Sequence, residues 1–95
     1  MKSEETRTVH AAITGRVQGV GYRAWTAGEA KARGLAGWVR NRPDGSVEAV
    51  FSGEASGVSD MVELCRRGPR LARVVDVVVE KRADLPETGF TIRTD

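Results

Sequence analysis

An α+β sandwich, with two helices on one face of a mostly antiparallel sheet of about five strands, is what the pattern of this chain predicts. Three observations carry the prediction. Segments with apolar residues at every second position recur along the chain, and two segments with helical spacing interrupt them. Their order is strand, helix, strand, strand, helix, strand, with a short strand appended. Ninety-five residues provide for one core and leave no room for a second.

Each element has its own justification. Residues 1–6 are polar and acidic and are expected to form a flexible tail, followed by one domain over 7–95. From Thr8 to Thr14, Val9, Ala11 and Ile13 fall on one side, as in a strand with one buried face. Gly15 to Gly21 contains three glycines and reads as a loop. Tyr22 to Arg33 is rich in alanine, a good helix former, and Gly34 stops it. Leu35 to Arg42 and Val47 to Phe51 are strands joined by Pro43-Asp44-Gly45, so they form a hairpin. Ala55 to Arg67 places Val58, Met61, Val62 and Cys65 on one helical stripe, and Gly68-Pro69 ends it. Arg73 to Arg82 is a valine-rich strand, and Thr88 to Thr94 is a short last one. Two helices cannot cover both faces of so small a sheet, so both lie on one face, in the ferredoxin-like βαββαβ arrangement.

Composition narrows the function classes. Apolar residues make up 40% of the chain, and no stretch approaches the run of about 20 that spans a bilayer. The N-terminal residues lack the apolar run of a signal peptide, so the cytoplasm is expected. The single cysteine, Cys65, cannot form an internal disulfide, which agrees with a reducing compartment. A net charge of +2 is too mild to indicate nucleic acid.

The chemistry is expected where the first strand runs into Gly15-Arg16-Val17-Gln18-Gly19-Val20-Gly21-Tyr22-Arg23. Glycines let the backbone curl and bring its N–H groups against a ligand. The helix that follows has unpaired N–H groups and the positive end of its dipole at its start. Together these make a cradle for an anion, most often phosphate. Arg23, in the first helical turn, is placed to hold two phosphate oxygens. The run is neither a dinucleotide fingerprint nor a Walker A loop, and on spacing alone its glycines could simply make a turn.

A second cluster spans Gly37 to Glu48. Much of it is required by any hairpin, but Asn41 is unusual, because asparagine is depleted in strands. Its carboxamide can both donate to and accept from a water, although asparagine at such a place also caps turns.

The sequence resembles the acylphosphatase family along nearly its whole length. Gly15, Val17, Gln18, Gly19, Val20 and Arg23 match the family motif Gly-x-Val-Gln-Gly-Val-x-x-Arg. Gly37, Trp38, Val39, Asn41, Asp44, Gly45, Val47 and Glu48 match Gly-Trp-Val-x-Asn-x-x-Asp-Gly-x-Val-Glu. Gly68-Pro69 and Phe90-Thr91-Ile92-Arg93 add support. The resemblance implies an enzyme that hydrolyses the carboxyl–phosphate bond of acyl phosphates by water attack on phosphorus, without a metal or other cofactor. It implies Arg23 as the phosphate-binding residue and Asn41 as the residue that orients water. The backbone amides of Val17, Gln18, Gly19, Val20, Gly21 and Tyr22 would hold the phosphoryl oxygens. Inorganic phosphate would be both product and competitive inhibitor. Many members carry an aromatic residue where this chain has Thr94, so how the C-terminus braces the arginine is open.

Other residues are not promoted. His10 alternates with Val9 and Ala11 and so faces away from the apolar stripe, and one histidine is a poor metal site. Cys65 reads as a small buried hydrophobe, and Trp25 and Trp38 as core or rim packing. Asp60, Glu63, Asp76, Glu80, Asp84 and Glu87 are scattered and read as solvated surface. Two further function classes compete: a module on this fold that binds phosphate without turnover, and an RNA-binding domain. The latter needs aromatics exposed on central strands, and the five aromatic residues do not fall in that pattern. A monomer with a small-molecule substrate, and neither nucleic acid nor membrane as partner, is expected.

Overall fold

The structure, a computed structural model, describes residues 5–94. Its elements run β1 (Thr6–Arg16), α1 (Tyr22–Ala32), β2 (Ala36–Asn41), β3 (Val47–Glu54), α2 (Ala55–Arg67), β4 (Arg73–Lys81) and β5 (Phe90–Arg93). The five strands form one sheet in the order β4-β1-β3-β2-β5. All neighbours are antiparallel except β2 and β5, which are parallel. The sandwich expected from the alternation pattern is therefore the fold observed, with element boundaries shifted by a few residues. The first strand starts at Thr6, inside the segment expected as a tail, and residues 1–4 of that tail lie outside the described residues. It also continues through Gly15 and Arg16, which were expected in the loop.

The alternation has the anticipated result. Val9, Ala11 and Ile13 of β1 stand beside Phe51, Ala49 and Val47 of β3, and all six are buried. On β2, Val39 is fully buried opposite Ala49. Helix α2 closes over this face with Val58, Met61 and Cys65, the stripe read from its spacing. Burying each such aliphatic side chain contributes about 1.5–3 kcal/mol. Gly68 ends α2, its N–H donating to the Leu64 carbonyl at 2.8 Å, and Arg66 and Arg67 complement the negative end of the helix dipole.

The two helices are tied by one buried bond. The Tyr22 hydroxyl, at the start of α1, donates to the carbonyl of Cys65 in the last turn of α2 at 2.7 Å. That carbonyl is one that α2 leaves without an intrahelical partner. Burial pushes the Tyr22 hydroxyl above its usual range and the Cys65 thiol up to about 12, so both stay neutral.

The other face of the sheet bears neither helix and mixes polar side chains with Trp38, the buried Val50 and the exposed Val78. His10 lies on it, as its place in the alternation required, but it is engaged: its Nε2 is 2.7 Å from Glu48 Oε2. Arg40 Nε donates to the other Glu48 oxygen at 2.6 Å. Side chains of β1 and β2 thus converge on one half-buried carboxylate of β3. Burial works to raise the Glu48 value, but the bonds from His10 and Arg40 outweigh it and hold the carboxyl below the ordinary range.

Because Glu48 is lowered in the folded state, its contribution to stability is complete above the unfolded value of about 4.3 and is lost as pH falls through the folded one. Thermal melting should show Glu48→Gln less stable than wild type at neutral pH, with the gap closing toward pH 3; a gap independent of pH would contradict this. Tyr22→Phe leaves the buried Cys65 carbonyl without its donor and should lower unfolding free energy in urea by about 1–3 kcal/mol. The Cys65 thiol should react with a thiol reagent at pH 8 only after unfolding.

Candidate active site

The sheet topology decides where functional side chains can meet. Strand β3 is antiparallel to both β1 and β2, so those two run in the same direction, and β5 is parallel to β2. Three chain segments therefore leave the sheet at one end: the glycine-rich loop after β1, the hairpin after β2, and Thr94 after β5. Asn41 is two residues beyond the buried Val39, so it points to the helix-covered side, where α1 begins.

The register of β1 against β4 shifts between Thr14 and Gly15, where β4 holds one extra residue, and β1 pairs on through Arg16 before the loop begins. Gly15 has φ +123°, and a Cβ there would lie 2.2 Å from the carbonyl oxygen of Arg73, so no larger residue fits. Gly19 and Gly21 have φ of +75° and +80° and open space around them, so conformation, not packing, calls for glycine. Gly21 caps α1 without any side-chain hydrogen bond, and the first turn carries no acidic residue. None of the amides from Gln18 to Gly21 donates to a backbone carbonyl among the described residues. The start of α1 therefore keeps its donors and its dipole for an anion.

A cleft of about 310 Å³ lies against this loop. Val17, Gly19, Gly21, Tyr22, Arg23 and Asn41 line it, together with Ala24, Ile92 and Thr94. Arg23, Asn41 and Thr94 continue into an adjoining hollow bounded by Arg42 and Pro43. The two segments singled out in the sequence thus meet, with a guanidinium and a carboxamide on one cleft. No carboxylate lines either hollow among the described residues. Such a surface suits an anion with several oxygens. A second groove, about 380 Å³, lies on the open face beside Trp38, but it mixes Arg82 and Arg93 with Asp84 and Glu87 and has no single sign of charge.

The contribution expected of Gln18 and Val20 is that of their backbone amides, and their side chains are occupied elsewhere. Val20 packs on the core, and the Gln18 side chain turns to the hairpin, its Nε2 donating at 2.8 Å to the carbonyls of Arg42 and Ser46. Sequence reading gave no site role to Ala24 and Ile92, which give the cleft an apolar wall; Ala24 carries no local signal, and Ile92 entered only as part of the supporting Phe90–Arg93 match. The C-terminal strand meets the arginine through its backbone: Arg23 Nη1 donates to the Arg93 carbonyl at 3.4 Å. Thr94 is thus beside the arginine without an aromatic ring. Cys65 is buried away from the cleft, and the acidic residues from Asp60 to Glu87 named above are exposed. No group of three histidine, cysteine or carboxylate side chains comes together as a metal site among the described residues.

Known proteins share this sequence and fold. The acylphosphatase family model matches residues 9–92. The acylphosphatase of Azorhizobium caulinodans is 53% identical over 88 residues, covering 93% of this chain and 94% of that protein. Among solved structures, an acylphosphatase from Coxiella burnetii superposes with a TM-score of 0.91 at 30% identity, covering 98% of this chain and all 100% of the other. The acylphosphatase of Bacillus subtilis gives 0.87 at 36% identity, over 94% of this chain and 99% of its own. With sequence and fold matched over nearly its whole length, the chain belongs to the acylphosphatase family, a family of hydrolases.

Proposed function

We propose that this acylphosphatase works through Arg23 and the amides of residues 17–22, which hold the phosphoryl group, and through Asn41, which orients the attacking water. The observation that supports the assignment is that Arg23 and Asn41, from different elements, line one cleft with the glycine-rich loop. The water oxygen attacks phosphorus, and the bond from phosphorus to the carboxylate oxygen breaks. Its electron pair leaves with the carboxylate, and the water protons stay on the phosphate. In flight the phosphoryl group spreads negative charge over its equatorial oxygens. Amides and a guanidinium already in place stabilise that charge without reorganising. The carboxylate is a good leaving group at neutral pH and requires no proton from the enzyme. Asn41 offers both a donor and an acceptor to the water, which sets its direction of attack.

The reading requires no metal and no cofactor. It makes inorganic phosphate a product that competes with substrate for the same amides. A cytoplasmic, monomeric, single-domain enzyme completes it; the lone, unpaired Cys65 supports a reducing compartment.

Phosphate release from benzoyl phosphate tests the reading, and a chain that binds phosphate but releases none would be a binding module instead. Turnover should persist in excess chelator, with inorganic phosphate inhibiting competitively. Arg23→Lys keeps the charge and loses the planar fork, so turnover should fall. The loss should exceed the roughly 1.5–3 kcal/mol of a ground-state charged hydrogen bond, because the charge is largest in the transition state. Asn41→Ala should abolish most turnover while calorimetry shows phosphate bound near its normal affinity. Equal loss of phosphate binding in both variants would remove the water-orienting role from Asn41.

A further inference from the structure

Gln18 stands in the middle of the glycine-rich loop, yet its carboxamide points out of the cleft. Both protons of its Nε2 go to main-chain carbonyls of the β2–β3 hairpin, Arg42 and Ser46, at 2.8 Å each. These carbonyls bracket the turn. The Arg42 N–H donates to the Ser46 carbonyl at 2.8 Å, and the Gly45 N–H donates to that of Arg42 at 3.1 Å. Asp44 braces the same turn from within, accepting from the Ser46 N–H at 2.9 Å and its hydroxyl at 2.6 Å. One planar amide therefore grips both ends of the turn whose first residue follows Asn41.

No other side chain among the described residues bonds to both of these carbonyls. The ladder between β1 and β3 ends at Ile13 and Val47, short of both the loop and the hairpin tip. Among the described residues, the two Gln18 bonds are the only hydrogen bonds joining residues 17–21 to residues 42–46. We propose that Gln18 is a positioning residue, whose side chain sets the gap between the phosphate-holding loop and Asn41 and so fixes the line of water attack. This rests on the function proposed above. Phosphate contacts belong to the loop amides and Arg23, so releasing the hairpin leaves phosphate held but misplaces the water. A displacement of about 1 Å at a reacting group can cost on the order of 100-fold in rate.

The test uses the full chain and two variants, with kcat and KM for benzoyl phosphate, calorimetric affinity for inorganic phosphate, and melting temperature as the check on folding. Gln18→Glu keeps the shape, but its ionised carboxylate cannot donate; Gln18→Ala removes the group. In both, kcat should fall by about 10–100-fold, and in Gln18→Ala, which adds no charge beside the anion, phosphate affinity should stay near that of wild type. In Gln18→Glu the introduced carboxyl regains one donor when protonated, near its ordinary value of about 4.3. Its kcat relative to wild type should therefore recover as pH is lowered from about 6 to 4. Gln18→Ala should show no such recovery. A wild-type kcat in a folded variant, a loss of phosphate affinity in Gln18→Ala matching its loss of kcat, or a flat pH ratio for Gln18→Glu overturns the role. If the unmutated chain is inert toward benzoyl phosphate, the proposed function fails and takes this role with it. An active wild type with an indifferent Gln18 overturns the role alone.

Discussion

The position of β3 between β1 and β2, antiparallel to each, is the constraint on which the site depends. It forces β1 and β2 into the same direction, and the parallel β5 then follows β2. The loop after β1, the end of β2 and the residue after β5 are brought to one rim for that reason. The buried register Val9–Phe51, Ala11–Ala49 and Ile13–Val47 holds β3 in place. A slip of one residue would turn that apolar set to solvent and carry Asn41 to the open face, away from α1. Core packing and site geometry are thus the same specification.

The two faces of the sheet divide the electrostatic work. At the site end, unpaired loop amides, a helix start without an acidic residue, and Arg23 accumulate positive potential with no lining carboxylate among the described residues. On the open face, charge is paired instead. Glu48 collects His10 and Arg40, and Arg93 lies over the Trp38 ring at 4.3 Å. Among the described residues, Arg23 is supported by the Arg93 carbonyl and by no ion pair. A neutral acceptor steers the guanidinium and leaves its charge available to an anion.

Much of this was legible in the residues. The apolar alternation of Val9, Ala11 and Ile13 and of Val47, Ala49 and Phe51 marked the buried faces. The stripe of Val58, Met61 and Cys65 marked the side of α2 that packs. Glycine at 15, 19 and 21 marked a backbone that other residues cannot follow, and the φ values agree. Strand ends were less legible. The passage of β1 through Gly15 and Arg16 depends on a bulge against β4, and pairing of that kind leaves no trace in local composition. The Gln18 bonds were invisible for a related reason, since their acceptors are backbone carbonyls, which every residue has.

The sequence by itself determined the class of fold, the apolar faces, the glycine-rich loop and, through two long motifs, the family. These follow from local periodicity, from conformations open only to glycine, and from residue types whose chemistry does not depend on neighbours far along the chain. Only the tertiary structure decided that Arg23 and Asn41 share one cleft, that the end of β5 reaches the arginine through a backbone carbonyl, and that Gln18 fastens the loop to the hairpin. Each joins groups remote in sequence, and their meeting is set by strand order, strand direction and register, which a chain acquires only when its core closes.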